Sequence, residues 1–166
     1  MGIGNTTSAS ALACAFLGCD PVAVCGAGTG LDAEGVAHKV AVVQRMLDRN
    51  RPDPSDAVGV LAALGGFEIA LLAGVALGTA ERRAVVVLDG FITSTAALAA
   101  MRLEPEVAGY LVASHRSPEP GHALVPAELG LERAPELGGY LEPLARLGIE
   151  RLDQLASTEP DQLAEV

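Results

Sequence analysis

A chain of 166 residues, half of them apolar, is long enough to bury one core and too short for two full enzymatic domains. Its formal charge of −10 and its 3% aromatic content argue against nucleic acid as a partner, because both phosphate neutralisation and base stacking are missing. Cys14, Cys19 and Cys25 form no C-x-x-C pair and lie in apolar segments, so they read as reduced thiols in a cytoplasmic protein rather than as a disulfide framework or zinc site.

The chain opens on a glycine-rich turn, "MGIGNTT", followed by a small and apolar helix over Ser8 to Leu17 that Gly18 and Pro21 stop. "VAVCG" reads as a short buried strand, and "GAGTG" as a glycine loop after it. In "LDAEGVAHKVAVVQRMLDRN" the residues Val36, Val40, Val43 and Leu47 recur at helical spacing. The proline-rich connector "RPDPSD" offers Ser55 or Asp56 as a cap for the next helix. Gly65 and Gly66 then divide "AVGVLAALGGFEIALLAGVALGTA" into two buried helices; Glu68 within it and Glu81, Arg82 and Arg83 at its end argue against a membrane span. "RRAVVVLDG" is the clearest strand, "FITSTAALAAMRL" a helix launched from its end, and "VAGYLVASH" a further strand. The exit "RSPEPGHALVPAELG" is a loop with a short helix.

Strands alternating with helices predict an α/β fold, a three-layer and mostly parallel sheet with helices on both faces. Ligands of such sheets sit at the strand carboxyl ends, where Gly26 to Gly30, Asp89, Gly90 and Ser114 to Ser117 fall. From about Leu137 charge rises and leucines crowd, which predicts a partial α/β nucleotide-binding domain over 1–136 and a short helical tail over 137–166. No cationic segment precedes an apolar run, so no secretory leader is expected. Gly2 and Thr6 also meet a short myristoylation pattern, but the same glycines serve a loop.

In "GIGNTT", Gly2 and Gly4 let backbone N–H groups converge while Thr6 or Thr7 caps a helix whose positive end faces an anion. The other reading is a loose terminus capping a core helix. "GAGTG" adds a second glycine loop, although neither loop is a P-loop or a Rossmann fingerprint. Lys39, early in the following helix, can reach a phosphate or a carboxylate, or simply be solvated, and the adjacent His38 faces elsewhere. Asp89 either meets a ribose or caps the helix beginning near Ile92. Ser117 offers a hydroxyl to a phosphate. His115, Glu119 and His122 lack the spacing of a helical metal pair, so no metal is expected. No nucleophile stands beside a general base.

Taken together, "MGIGNTTSASAL", "GAGTGLDAEGVAHKVAVV", "LGGFEIALLAG", "VVLDGFITSTAAL" and "SHRSPEPGH" resemble the nicotinate-nucleotide:dimethylbenzimidazole phosphoribosyltransferase family. The resemblance runs from Met1 to about Gly138 and corresponds to the second half of the family's chain. It implies transfer of phosphoribose from nicotinate mononucleotide to 5,6-dimethylbenzimidazole, giving α-ribazole 5'-phosphate in cobalamin lower-ligand synthesis, with no cofactor. It also implies that Met1, Gly2, Ile3, Gly4 and Asn5, with Gly28, Thr29 and Gly30, surround the mononucleotide. Lys39, Asp89, Gly90 and Ser117 complete the pocket. The family's first loop follows a glutamate, "GEMGIGN", that has no counterpart before Met1, and Ala27 replaces the arginine of "GRGTG". Glu142 falls within about one position of the family's proton acceptor in "LGLRLGEGSGA", with Pro143 in place of the following glycine. These departures imply a truncated and weakly active or inactive form. A homodimer, or association with the missing first half, is expected. The alternative is a non-catalytic nucleotide-binding or complementing subunit.

Overall fold

The computed structural model describes residues 4–114 and 117–131. Helix α1 (Asn5–Leu17) is built from small side chains, and Ala9 to Phe16 are all buried, as an alanine-rich helix without a bulky face permits. It stops at Gly18, whose left-handed φ of 64° turns its N–H back onto the Cys14 carbonyl at 2.9 Å. "VAVCG" is not the expected strand: Asp20 accepts a hydrogen bond from the Val22 N–H at 2.8 Å and Pro21 presets φ at the first position, so Pro21–Val24 form one helical turn, α2.

Helix α3 (Ala33–Asn50) starts at Asp32, which accepts from the Gly35 N–H at 2.8 Å, and turns Val40, Val43 and Leu47 to the core. Helices α4 (Ala57–Leu64) and α5 (Phe67–Glu81) are divided at Gly65 and Gly66 as the sequence predicts. Asp56 caps α4 by accepting from the Gly59 N–H at 2.9 Å. Asp56→Ala is therefore expected to cost about 1 kcal/mol in a denaturant titration, the usual worth of an N-cap carboxylate.

Strand β1 (Val86–Leu88), helix α6 (Phe91–Leu103), a 3₁₀ turn (Pro105–Tyr110) and strand β2 (Leu111–Ala113) follow, then α7 (Gly121–Glu128). The two strands pair in parallel, Val86 with Leu111 and Leu88 with Ala113, and α6 is their crossover. The expectation of a three-layer, mostly parallel sheet is overturned. Among the described residues the sheet has two strands of three residues each, and the rest is mainly helix. "VAVCG" became helical, and the first half of "VAGYLVASH" is the 3₁₀ turn that Glu104 and Pro105 start, which leaves too few extended segments for a layered sheet.

The core is instead helix on helix around α6, which packs against α1, α5, α4 and α7. Leu98, Ala99 and Ala100 are fully buried there. Arg102 at the end of α6 donates to the Phe16 carbonyl at 3.1 Å and to Glu128 at 2.7 Å, tying the ends of α1 and α7 together. No helix among the described residues is long and apolar enough to cross a membrane. The expected boundary at 136/137 lies outside the described residues.

All three cysteines are free thiols. Burial, reinforced by Cys19 next to it, pushes the Cys14 thiol well above the usual range, and burial raises that of Cys25 as well. The thiolate is the reactive form, so a thiol reagent at neutral pH should modify the half-buried Cys19 first. Cys14 and Cys25 should react only on unfolding. Equal rates for all three in peptide mapping would contradict the burial described here.

Candidate anion-binding cleft

A cleft of about 130 Å³ opens where the carboxyl ends of β1 and β2 meet the start of α1. The β1–α6 junction supplies Asp89 and Gly90, and the first turn of α6 supplies Phe91, Ile92 and Thr93. Ser117 and Glu119 come from the segment after β2, and Thr6 comes from the first turn of α1. The Ser114 N–H and hydroxyl both donate to the Leu88 carbonyl, at 3.0 and 2.8 Å, which extends the strand pairing by one residue beyond Ala113.

Two helix N-termini face this space. Helix α1 begins after Gly4, at a φ of 92°, and α6 begins after Gly90, so each has glycine at its N-cap and neither N-cap residue brings a capping side chain. The ladder of α6 starts with the Ser94 N–H on the Gly90 carbonyl at 2.9 Å, so the N–H groups of Phe91, Ile92 and Thr93 precede it. Thr93 serves the turn itself, accepting from the Gly90 N–H at 2.9 Å and donating to the Gly90 carbonyl at 3.0 Å. Each helix end carries roughly half a positive charge, and such ends bind phosphate through their backbone donors. Neither Thr6 nor Thr7 is the cap expected for α1, because glycine holds that position and the Thr7 N–H bonds to the Gly4 carbonyl at 3.1 Å.

A buried charge pair joins the wall to the layer behind it. Lys39 is 4% exposed, and its ammonium donates to Thr6 Oγ1 at 3.0 Å and to the Gly26 carbonyl at 3.1 Å. Its charge partner is the Glu119 carboxylate at 3.6 Å, and the other carboxylate oxygen accepts from the Gly28 N–H at 2.7 Å. Ser117 Oγ accepts from the Glu119 N–H at 3.3 Å and so shapes the same loop. Gly28, at φ 55°, and Gly30, at φ 119°, hold left-handed conformations that suit glycine.

Of the residues singled out in the sequence, Asp89, Gly90 and Ser117 line the cleft together. Lys39 is buried one layer back, in contact with Thr6 and Glu119, which do line it. Gly28 is joined to that layer, and Gly4 and Asn5 start the helix that presents Thr6. The amide nitrogen of Asn5 is buried and has no hydrogen-bond partner among the described residues. Thr29 and Gly30 lie in the turn that precedes α3. Met1, Gly2, Ile3 and Glu142 lie outside the described residues.

Sequence reasoning missed Glu119, which it weighed only as a metal ligand, and the cleft-facing role of Thr6. The signal for Glu119 was its setting between Pro118 and Pro120, which stiffens the loop that carries it. His122 is buried, and no group of His, Cys, Asp or Glu among the described residues is arranged to hold a metal.

Comparison with known proteins agrees with the motifs. The family described as phosphoribosyltransferase matches residues 1–142. The nicotinate-nucleotide–dimethylbenzimidazole phosphoribosyltransferase of Desulforudis audaxviator is 52% identical over 132 residues, covering 80% of this chain and 37% of its own. The protein of the same name from a Bradyrhizobium species is 55% identical over 131 residues, covering 78% of this chain and 37% of its own. The chain thus spans 37% of the length of these relatives. The crystal structure of CobT from Thermus thermophilus superposes with a TM-score of 0.75 at 39% identity, over 91% of this chain and 47% of that one. Shared sequence over most of its length and shared architecture lead to one conclusion: the chain belongs to the phosphoribosyltransferase family that includes the nicotinate-nucleotide–dimethylbenzimidazole enzymes.

Proposed function

We propose that the cleft binds the 5'-phosphate and ribose of nicotinate mononucleotide, for transfer of phosphoribose to 5,6-dimethylbenzimidazole. The observation that carries this reading is the convergence of two helix N-termini, α1 and α6, each with glycine at its N-cap, on one cleft at the strand carboxyl ends. In the reaction the bond from C1' to the nicotinate nitrogen breaks and a bond from C1' to a benzimidazole nitrogen forms on the opposite face. Positive charge develops at the ribose as the first bond lengthens, and the other benzimidazole nitrogen gives up its proton. Fixed backbone dipoles at the phosphate hold the sugar without reorganising, and the Asp89 carboxylate at the same cleft suits a ribose hydroxyl or the developing charge. Glu142 is proposed as the proton acceptor, on family resemblance alone.

Nicotinate mononucleotide should raise the melting temperature of the chain, and nicotinate, which lacks the phosphate, should not. At about a hundred times its dissociation constant a ligand adds roughly 2.7 kcal/mol of stability. Equal protection by both compounds would contradict a phosphate-directed site.

A further inference from the structure

We infer that Glu119 is a positioning residue for the mononucleotide, setting Lys39 and through it the Thr6 hydroxyl; the inference rests on the proposed function. Three separate segments meet at the Glu119–Lys39 pair: the glycine turn through the Gly28 N–H on the carboxylate, α3 through Lys39 itself, and α1 through Thr6 on the ammonium. A lysine that is 4% exposed requires a charge partner, and the Glu119 side chain, itself 10% exposed, supplies one. Glu119 also lines the cleft with Thr6, Asp89 and Ser117, so the carboxylate belongs to the wall and holds Lys39 directly behind it.

The direction of the hydrogen bonds gives the pair its consequence. Because the ammonium donates to Thr6 Oγ1, the hydroxyl proton is turned away from the ammonium and is available to a ligand in the cleft that Thr6 lines. A threonine so oriented offers an anion a donor in addition to the backbone N–H groups of α1 and α6. The glycine turn is fitted to the same joint. A Cβ on Gly26 would lie 2.5 Å from Pro120 Cδ and 2.8 Å from Glu119 Oε2, so only glycine lets the two loops close on each other. Oε2 is buried and has no hydrogen-bond partner among the described residues, where its Coulomb attraction to Lys39 holds it.

The test uses the full chain and nicotinate mononucleotide, with Glu119→Gln and Gly26→Ala compared with Asp56→Ala, a destabilising change far along the sequence from the cleft. Glu119→Gln keeps an acceptor for the Gly28 N–H but removes the charge opposite Lys39, and Gly26→Ala displaces Glu119 without altering any polar group. Both should weaken the nucleotide by about tenfold or more in calorimetry, while Asp56→Ala should leave affinity unchanged. The Gly28 amide proton resonance should move upfield in both, reporting the weakened bond to the carboxylate. Either folded variant suffices for the comparison. Wild-type binding with Glu119→Gln or Gly26→Ala within twofold of it would overturn this inference alone. Failure of the wild-type chain to bind would overturn the proposed function and the inference with it.

Discussion

Lys39→Met is expected to destabilise the chain by about 3–5 kcal/mol, because removing one partner of a buried ion pair leaves the other charge uncompensated. The stranded group is the Glu119 carboxylate, and Thr6 Oγ1 and the Gly26 carbonyl lose their donor at the same time. Urea denaturation followed by circular dichroism measures the loss. The double variant Lys39→Met with Glu119→Leu should recover much of it, since replacing both charges by apolar groups removes the desolvation cost as well as the attraction. A Lys39→Met chain within about 1 kcal/mol of wild type would place the ammonium in solvent, as an exposed pair is worth no more than that.

Leu98→Ala carries the second large effect, about 2–5 kcal/mol, because Leu98 is fully buried at the centre of the helix against which α1, α4, α5 and α7 pack. For a chain of this length each kcal/mol moves the melting temperature by roughly 2–4 °C. The consequence reaches the cleft, since α6 presents Phe91 and Ile92 there by its own rigidity. Nucleotide affinity should therefore fall in Leu98→Ala although no cleft residue has changed. An unaffected melting temperature would mean that α6 is not the core element described here.

The helices were legible because their signals are local. Asp56 before "AVGV", the pair Gly65 and Gly66, and the spacing of Val40, Val43 and Leu47 each fix a boundary or a face within a few residues. The strand count was not legible, because a short apolar run does not distinguish a buried strand from a buried helical turn. In "DPVAVCG" the deciding feature was Asp20 before Pro21, a cap and a first helical residue, rather than the β-branched valines that suggested a strand. In "EPEVAGYLVA" the same acidic residue before proline starts the 3₁₀ turn and postpones the strand to Leu111.

The site shows the same division. Asp89, Gly90 and Ser117 were singled out because the ends of parallel strands are where ligands collect, and the fold brings the three to one cleft although the larger sheet is absent among the described residues. Lys39 was singled out as able to reach a phosphate or a carboxylate, and only the fold reveals that Glu119, far along the chain, arrives to pair with it. Glu119 itself was hidden for the same reason. A partner so distant in sequence leaves no local pattern, and the prolines around it advertise only a stiff loop.

The α1 and α6 N-termini together are proposed to form the phosphate site. Titrating isotope-labelled chain with nicotinate mononucleotide and following the backbone amide resonances addresses it directly. The N–H groups of Thr6, Phe91 and Ile92 should shift first and furthest, with inorganic phosphate reproducing the pattern more weakly and nicotinate leaving it unchanged. Shifts confined to other parts of the chain, or identical responses to nicotinate, would contradict the account.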